Sequence, residues 1–127
     1  MKSIILIEDD DAIRDAMEIA FSQPHWHFTG LPSPEPLFEM QLSAPDLFIL
    51  DGNIGETDGL KLCKFLKDSL LYGNVPIIMI SASRDVIRDA IEAGANGALD
   101  KPFALKALKQ LIALQFDKTM LDPANQQ

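Results

Sequence analysis

Acidic, basic and hydroxyl side chains stand at four places in the chain, each at the end of a short apolar run. In chain order these places are Glu8-Asp9-Asp10, Asp51, Ser81 and Asp100-Lys101. Carboxylates that lie close together repel one another, and Mg²⁺ prefers oxygen ligands of this kind. A lysine and a hydroxyl beside such a cluster could hold the other oxygens of a phosphoryl group. If the four places converge, they predict a site for Mg²⁺-assisted phosphoryl transfer onto an aspartate.

The elements that would bring these places together are five apolar runs separated by amphipathic stretches. The runs cover 3–7, 25–31, 47–50, 75–80 and 97–100. Apolar residues at helical spacing cover about 11–22, 33–42, 60–71, 84–93 and 104–116. This alternation predicts an α/β fold, a doubly wound, flavodoxin-like parallel sheet of five strands in the order 2-1-3-4-5 with five helices. Ligands of such sheets bind beyond the carboxyl ends of the strands, where all four places fall.

Helix ends allow further local predictions. We expect Asp10 or Asp11 to cap the first helix, and Ser33, followed by Pro34, to cap the second. Gly94 suits the left-handed position after the fourth helix. The inward face of the third helix is predicted to carry Leu60, Cys63, Leu66 and Leu70.

Composition and charge limit the classes of function. The 127 residues suit one domain, and the net charge of −8 would repel a phosphate backbone, so direct nucleic-acid binding is not expected. No apolar run reaches the roughly 18 residues of a membrane span, so no membrane partner is expected. The N-terminus lacks the pattern of a signal peptide. The single cysteine fits a reducing compartment, which predicts a cytoplasmic protein.

Four segments resemble motifs of the response regulator receiver domains of two-component signalling. They are I-L-I-E-D-D-D-A-I-R, F-I-L-D with a following D-G, I-I-M-I-S-A and A-G-A-N-G-A-L-D-K-P-F, and they span about residues 3–116 in the order of the family. The resemblance implies a domain that accepts phosphate from a histidine kinase or a histidine phosphotransfer protein and then switches an unknown output domain or protein. Such a domain is not a turnover enzyme, since it catalyses only its own phosphoryl transfer and dephosphorylation. Self-association into a homodimer stays open.

The same resemblance assigns roles around the metal. Asp51 would be the phospho-acceptor and would also be a ligand of Mg²⁺. Asp9 would bind the metal directly and Glu8 through water. Asn53 would contribute its backbone carbonyl.

On the phosphoryl side, Ser81 and Lys101 would contact the phosphoryl oxygens, and the Lys101–Pro102 bond would be cis. Two positions depart from the family pattern. Gly55 stands where the family usually has proline, which predicts a looser loop. Ala98 stands where the family often has tyrosine or phenylalanine, and an alanine cannot make the inward movement of that ring. In the family, the movement of this ring transmits phosphorylation to the face formed by the fourth helix, fifth strand and fifth helix. With Ala98 at the position, this transmission is less expected.

These departures leave a second hypothesis, a receiver-fold interaction module that does not depend on phosphorylation. A phosphatase of the haloacid-dehalogenase kind, with Asp51 as nucleophile, is disfavoured because Asn53 stands where such enzymes need a second aspartate. We assign residues 1–118 to the receiver domain and 119–127 to a polar tail or the start of a linker.

Overall fold

The computed structural model describes the backbone of residues 1–121 and the side chains of residues 1–117. Its main sheet has five parallel strands, which are β1 (Lys2–Ile7), β2 (Trp26–Leu31), β3 (Leu47–Asp51), β6 (Ile77–Ser81) and β7 (Gly97–Asp100). They lie in the order β2-β1-β3-β6-β7, so the predicted order of the five main strands is confirmed. Two further strands, β4 (Asn53–Ile54) and β5 (Thr57–Asp58), form a small antiparallel hairpin directly after β3.

The central strands are apolar at consecutive positions because both faces of the sheet are covered. In β1, Ile4 and Leu6 belong to the core on one face, and Ile5 and Ile7 belong to the core on the other. Strands β3 and β6 alternate in the same way. A parallel sheet buried on both sides has this pattern, which is why a continuous apolar run could be interpreted as a strand.

Five helices cover the two faces. They are α1 (Asp11–Ala20), α2 (Glu35–Phe38), α3 (Gly59–Asp68), α4 (Arg84–Ala90) and α5 (Leu105–Leu121). Met17 of α1 and Leu108 of α5 pack on one face of the sheet. Leu37, Leu66 and Ala90, from α2, α3 and α4, pack on the other. The fold is therefore doubly wound, as predicted.

Three helices begin at a side-chain cap. Asp10, and not Asp11, caps α1, with its carboxylate accepting a hydrogen bond from the Ile13 amide at 3.0 Å. Asp58 caps α3 and Ser83 caps α4, and neither was predicted. Each cap satisfies an amide that would otherwise lack a partner in the first turn.

The second helix is shorter than predicted. It covers only Glu35–Phe38, with Pro34 at the cap position and no side-chain cap bond, so the prediction of Ser33 as the cap and of a helix to about Leu42 is wrong. Met40 adopts a left-handed backbone with φ of 55°, and this residue turns the chain out of the helix. The periodicity of apolar residues does not show such a turn.

The third helix also ends earlier than predicted, and Leu70 does not face inward. The Ser69 hydroxyl accepts hydrogen bonds from the amides of Leu71 and Tyr72, at 3.2 and 3.3 Å, and so competes with continuation of the helix. Leu70 is fully exposed as a result. Tyr72 takes the buried position instead, and its hydroxyl donates to the Leu42 carbonyl at 2.7 Å.

The remaining helices differ from the prediction at their ends. Helix α4 stops at Ala90, and Gly94 then takes the left-handed backbone that was predicted for it, with φ of 106°. Helix α5 runs past Phe116 to Leu121, and residues 122–127 of the predicted tail lie outside the described residues. Within residues 1–121, no helix combines the length and the apolar character that crossing a membrane requires.

Gly59 fixes the approach of α3 to the end of β3. A Cβ at this position would lie 2.2 Å from the carbonyl oxygen of Asp51 and 2.7 Å from the Cα of Gly52. The Gly59 amide donates to the Gly52 carbonyl at 2.9 Å. Only a residue without a side chain allows this backbone contact.

We expect Gly59→Ala to lower the free energy of unfolding by about 2–3 kcal/mol, because the methyl group would enter space that backbone atoms fill. Urea unfolding followed by circular dichroism measures the change. Gly55→Asn is the matched control, since Gly55 has no atom within 4 Å of an added Cβ and asparagine tolerates its φ of 58°. Equal stability of the Gly59→Ala variant and the wild type would refute the close-approach argument.

Candidate functional site

The acidic residues of two neighbouring strands meet at one edge of the sheet. Glu8 follows the last residue of β1, Asp51 is the last residue of β3, and these strands pair side by side up to Ile7 and Leu50. One carboxylate oxygen from each of Glu8, Asp9 and Asp51 lies within 4.8 Å of the other two. These three residues therefore converge at one edge of the sheet, as predicted.

Lys101 links two of these carboxylates. Its ammonium group donates to Glu8 Oε1 at 2.8 Å and to Asp51 Oδ2 at 3.1 Å. The Glu8 side chain is fully buried and the Asp51 side chain is nearly so. The Lys101 amide donates to the Ser81 carbonyl at 2.9 Å, which holds the start of this loop against β6, and the Lys101–Pro102 bond is cis as predicted.

Burial and crowding change the proton affinity of this cluster. Desolvation, together with a hydrogen bond to Asp51, raises the pKa of Glu8 from 4.5 to about 7, although Lys101 acts in the opposite direction. Desolvation lowers the pKa of Lys101, but hydrogen bonds to Glu8 and Asp51 outweigh it and leave that pKa raised. One lysine thus does not neutralise the acidic cluster, and Glu8 binds a proton near neutral pH.

The exposed acid of the cluster is tied to the hairpin that follows β3. Asp9 Oδ2 accepts a hydrogen bond from the Gly55 amide at 2.9 Å. Gly55 has φ of 58°, at the turn between β4 and β5. Proline has no amide hydrogen and cannot adopt this φ. Gly55 therefore makes a contact that the usual proline could not make, and the looser loop stays a prediction.

Ser81 and Asn53 lie beside the acceptor position. Ser81 is buried, and its hydroxyl accepts a hydrogen bond from the Ser83 amide at 3.0 Å. A Cβ added at Gly52 would lie 2.8 Å from the same hydroxyl, so Ser81 packs directly against the residue after Asp51. The Asn53 amide donates to Asp51 Oδ1 at 3.3 Å. The roles of Ser81 and of the Asn53 carbonyl stay predictions.

Arg14 supports the cluster from α1 and was not recognised from the sequence. Its guanidinium donates to the backbone carbonyl of Glu8 at 2.8 Å and pairs with Asp11. The Arg14 stem lies over Gly30, where an added Cβ would be 2.8 Å from the Arg14 Cγ. Two features of the sequence could have indicated this role of Arg14. They are its place one turn after an acidic helix start and the glycine inside β2, which leaves room for its stem.

Ala98 stands in β7 opposite Met79 of β6, and its side chain packs partly buried against the core on the α2–α4 face. The only side-chain group that position 98 packs against this core is therefore a methyl group. The structure has no ring at this place to turn inward or outward.

The set of oxygen atoms at this edge can hold a hard cation. Three carboxylates face one ammonium group within a few ångströms, which leaves excess negative charge. Such a set suits a divalent ion that takes oxygen ligands and keeps several waters. Beside it, Lys101 and Ser81 offer an ammonium and a hydroxyl to an anionic group.

A family model described as the response regulator receiver domain matches residues 4–113. The transcriptional regulatory protein CseB of Streptomyces avermitilis is 34% identical over 103 residues, which cover 79% of this chain and 43% of that protein. KdpE of Staphylococcus aureus is 31% identical over 112 residues, which cover 86% of this chain and 47% of that protein. The chain thus spans less than half the length of these relatives.

Solved structures give the same result. The receiver domain of the response regulator TorR superposes with a TM-score of 0.82 at 25% identity, and covers 93% of this chain and 98% of that one. The receiver domain of the sensor histidine kinase PA1611 from Pseudomonas aeruginosa PAO1 superposes with a TM-score of 0.79 at 19% identity, over 91% of this chain and 98% of that one. That structure has a magnesium ion coordinated in its active site cleft.

We expect stability to depend on pH through Glu8. Because the pKa of Glu8 is higher in the folded chain than in the unfolded one, the folded state binds more protons between about pH 4.5 and 7. The stabilisation from this proton is complete below the ordinary value of 4.5 and is lost as pH rises through about 7. Glu8→Gln removes the titration, so the stability of the variant relative to the wild type increases, by on the order of 1 kcal/mol or more, between pH 5 and 8.

The measurement is urea unfolding of both proteins in chelator-treated buffer at several pH values. Glu39→Gln, a change of an exposed glutamate outside the cluster, is the control and is expected to shift stability equally at every pH. A difference between Glu8→Gln and the wild type that stays constant from pH 5 to 8 would contradict the raised pKa.

Proposed function

The chain belongs to the response regulator receiver domain family, and we propose that Asp51 is the residue on which this phospho-accepting domain takes up its phosphoryl group. The observation that carries the proposal is the position of Asp51. It ends β3, beside the buried Glu8, with Lys101 within hydrogen-bond distance. An aspartate next to a fixed ammonium group has the positive charge nearby that an incoming phosphoryl group requires.

Mg²⁺ fits the donor set around Asp51 and belongs to the same proposal. Asp9, Asp51 and the backbone carbonyl of Asn53 would hold the ion, with Glu8 acting through water. When bound, the ion supplies positive charge that offsets the charge on a phosphoryl oxygen. The fit rests on the three carboxylate oxygens within 4.8 Å of one another and on the single lysine that pairs with two of these acids.

The proposed reaction is a direct transfer between two side chains. A carboxylate oxygen of Asp51 attacks the phosphorus of a phosphohistidine, so that an O–P bond forms while the N–P bond breaks and its electron pair returns to the imidazole. Lys101 then pairs with a phosphoryl oxygen in exchange for its present contact with Asp51. The Ser81 hydroxyl, which accepts from the Ser83 amide, donates its own hydrogen to another phosphoryl oxygen.

The phosphoryl donor in this proposal is a histidine kinase or a histidine phosphotransfer protein, and the signal passes to an output domain or partner. Residues 1–118 form the receiver domain in this proposal, and a cytoplasmic location stays a prediction. The phosphorylation-independent alternative is not favoured, because the relatives are regulators of two-component signalling.

Incubation with acetyl phosphate and Mg²⁺ is expected to add one phosphoryl group per chain, seen by intact-mass spectrometry. Asp51→Asn is expected to reduce the incorporation at least 100-fold, because an amide is a poor nucleophile toward phosphorus. Asp58→Asn is the matched control, since asparagine can also cap α3 and Asp58 is not one of the clustered acids. Equal incorporation in Asp51→Asn and the wild type would show that the acceptor is another residue.

Mg²⁺ binding can be tested separately from phosphorylation. We expect Asp9→Asn to weaken Mg²⁺ binding about tenfold or more, because it removes a charged ligand and leaves the fold unchanged. Calorimetric titration of the metal into the unphosphorylated chain gives the affinity. Asp10→Asn retains the α1 cap and is expected to bind Mg²⁺ within about twofold of the wild type. If the two variants lose affinity equally, Asp9 is not a specific ligand.

A further inference from the structure

Five large apolar side chains form an exposed surface on one side of the fold, away from the acidic cluster. This surface, which we call the α2–α3 surface, consists of Phe38, Met40, Phe65, Leu70 and Leu71. Phe38 and Phe65 pack edge to face with ring centroids 5.0 Å apart, which joins the end of α2 to α3. Met40, Leu70 and Leu71 line the same groove as Phe65, so the patch is continuous.

We propose that the α2–α3 surface joins two copies of this chain in a weak, two-fold symmetric dimer. The shape of the patch is the first argument. Leu70 is 106% exposed and projects beside a groove of about 440 Å³ that Met40, Phe65 and Leu71 also line. A projecting side chain next to a recess is self-complementary, since a two-fold axis places Leu70 of each copy in the groove of the other.

The area of the patch is the second argument. Taking about 190 Å² for each large apolar side chain when fully exposed, the five exposed fractions amount to roughly 500 Å² per chain. Two copies would bury roughly 1,000 Å², which is near the lower bound for a specific interface and belongs to weak, transient complexes. The dimer is therefore expected to dissociate in the micromolar to millimolar range.

The charges around the patch disfavour other classes of occupant. Among residues 1–117, Asp68 is the only charged residue that lines the groove, so there is little charge with which to recognise a strongly charged peptide. The chain carries a net charge of −8, which opposes attachment of an apolar patch to an anionic membrane. An uncharged, apolar partner surface needs neither charge recognition nor an anionic membrane. A second copy of this chain supplies such a surface.

The backbone at Met40 adds an independent indication. A non-glycine residue with φ of 55° is strained, and Met40 keeps this conformation while its long apolar side chain is about half exposed. Glycine would adopt the same backbone without strain. The position thus holds an apolar side chain that the fold of the single chain leaves about half exposed.

Sedimentation velocity of the complete chain from about 10 µM to 1 mM tests the proposal. The wild type is expected to change from monomer to dimer over this range. Leu70→Ser and Met40→Gly are each expected to raise the dissociation constant at least tenfold, because the two-fold axis removes the contact twice. Neither change threatens folding, since Leu70 is fully exposed and glycine suits the backbone of Met40.

Each matched control replaces an exposed isoleucine that lies outside the α2–α3 surface. Ile19→Ser on α1 and Ile91→Ser after α4 alter side chains that are 74% and 60% exposed, and each is expected to leave the dissociation constant within twofold of the wild type. An increase in NaCl from 0.05 to 0.5 M is expected to maintain or strengthen the dimer, because it screens the repulsion between two acidic chains.

Three outcomes would overturn the proposal. A wild type that stays monomeric at 1 mM would show that the α2–α3 surface does not join two copies of the chain. Equal weakening by Ile19→Ser or Ile91→Ser would place the interface on another face. A dimer that dissociates as salt rises would depend on charge pairs, which the α2–α3 surface does not offer.

Discussion

The structure depends on the repulsion among three carboxylates that share one edge of a parallel sheet. Glu8 and Asp51 are removed from water, and the ammonium group of Lys101 bridges them. Burial of Glu8, with a smaller contribution from its hydrogen bond to Asp51, raises the pKa of Glu8 to about 7. The excess of negative charge favours a divalent cation and, together with Lys101, an incoming phosphoryl group. Burial and repulsion of the acids at this edge are therefore the physical basis of the proposed chemistry.

Such repulsion would separate the acids if the loops that carry them could move. The backbone around the cluster is instead fastened at several points. Arg14 holds the carbonyl of Glu8, and Gly59 packs against the carbonyl of Asp51 with no room for a side chain. The Gly55 amide holds Asp9 from the hairpin that follows β3. Because the contacts at Glu8 and Asp51 use their backbone carbonyls, these two acids stay in place whichever charge state they adopt.

The fold was predictable because β1, β3 and β6 are apolar at consecutive positions, and only a sheet covered on both faces buries such strands. The convergence of Glu8 and Asp51 was predictable for a related reason, since parallel strands place their carboxyl ends at one edge. The ends of α2 and α3 were not predictable from periodicity. There, the left-handed backbone of Met40 and the Ser69 hydroxyl decide the outcome, and apolar spacing carries no information about either. The misplaced Leu70 follows directly from this local competition.

The amino-acid sequence by itself determined the order of the elements, the family and the residues at each strand end, because these follow from local patterns and from short motifs. Tertiary structure alone decided the rest. The bridge from Lys101 to Glu8 spans 93 residues, and the contact of Gly55 with Asp9 spans 46. The proton on Glu8 depends on burial by all its neighbours, and the exposed α2–α3 surface depends on where two helices stop. Such properties arise from distances between side chains that are remote in the chain, and no local periodicity encodes those distances.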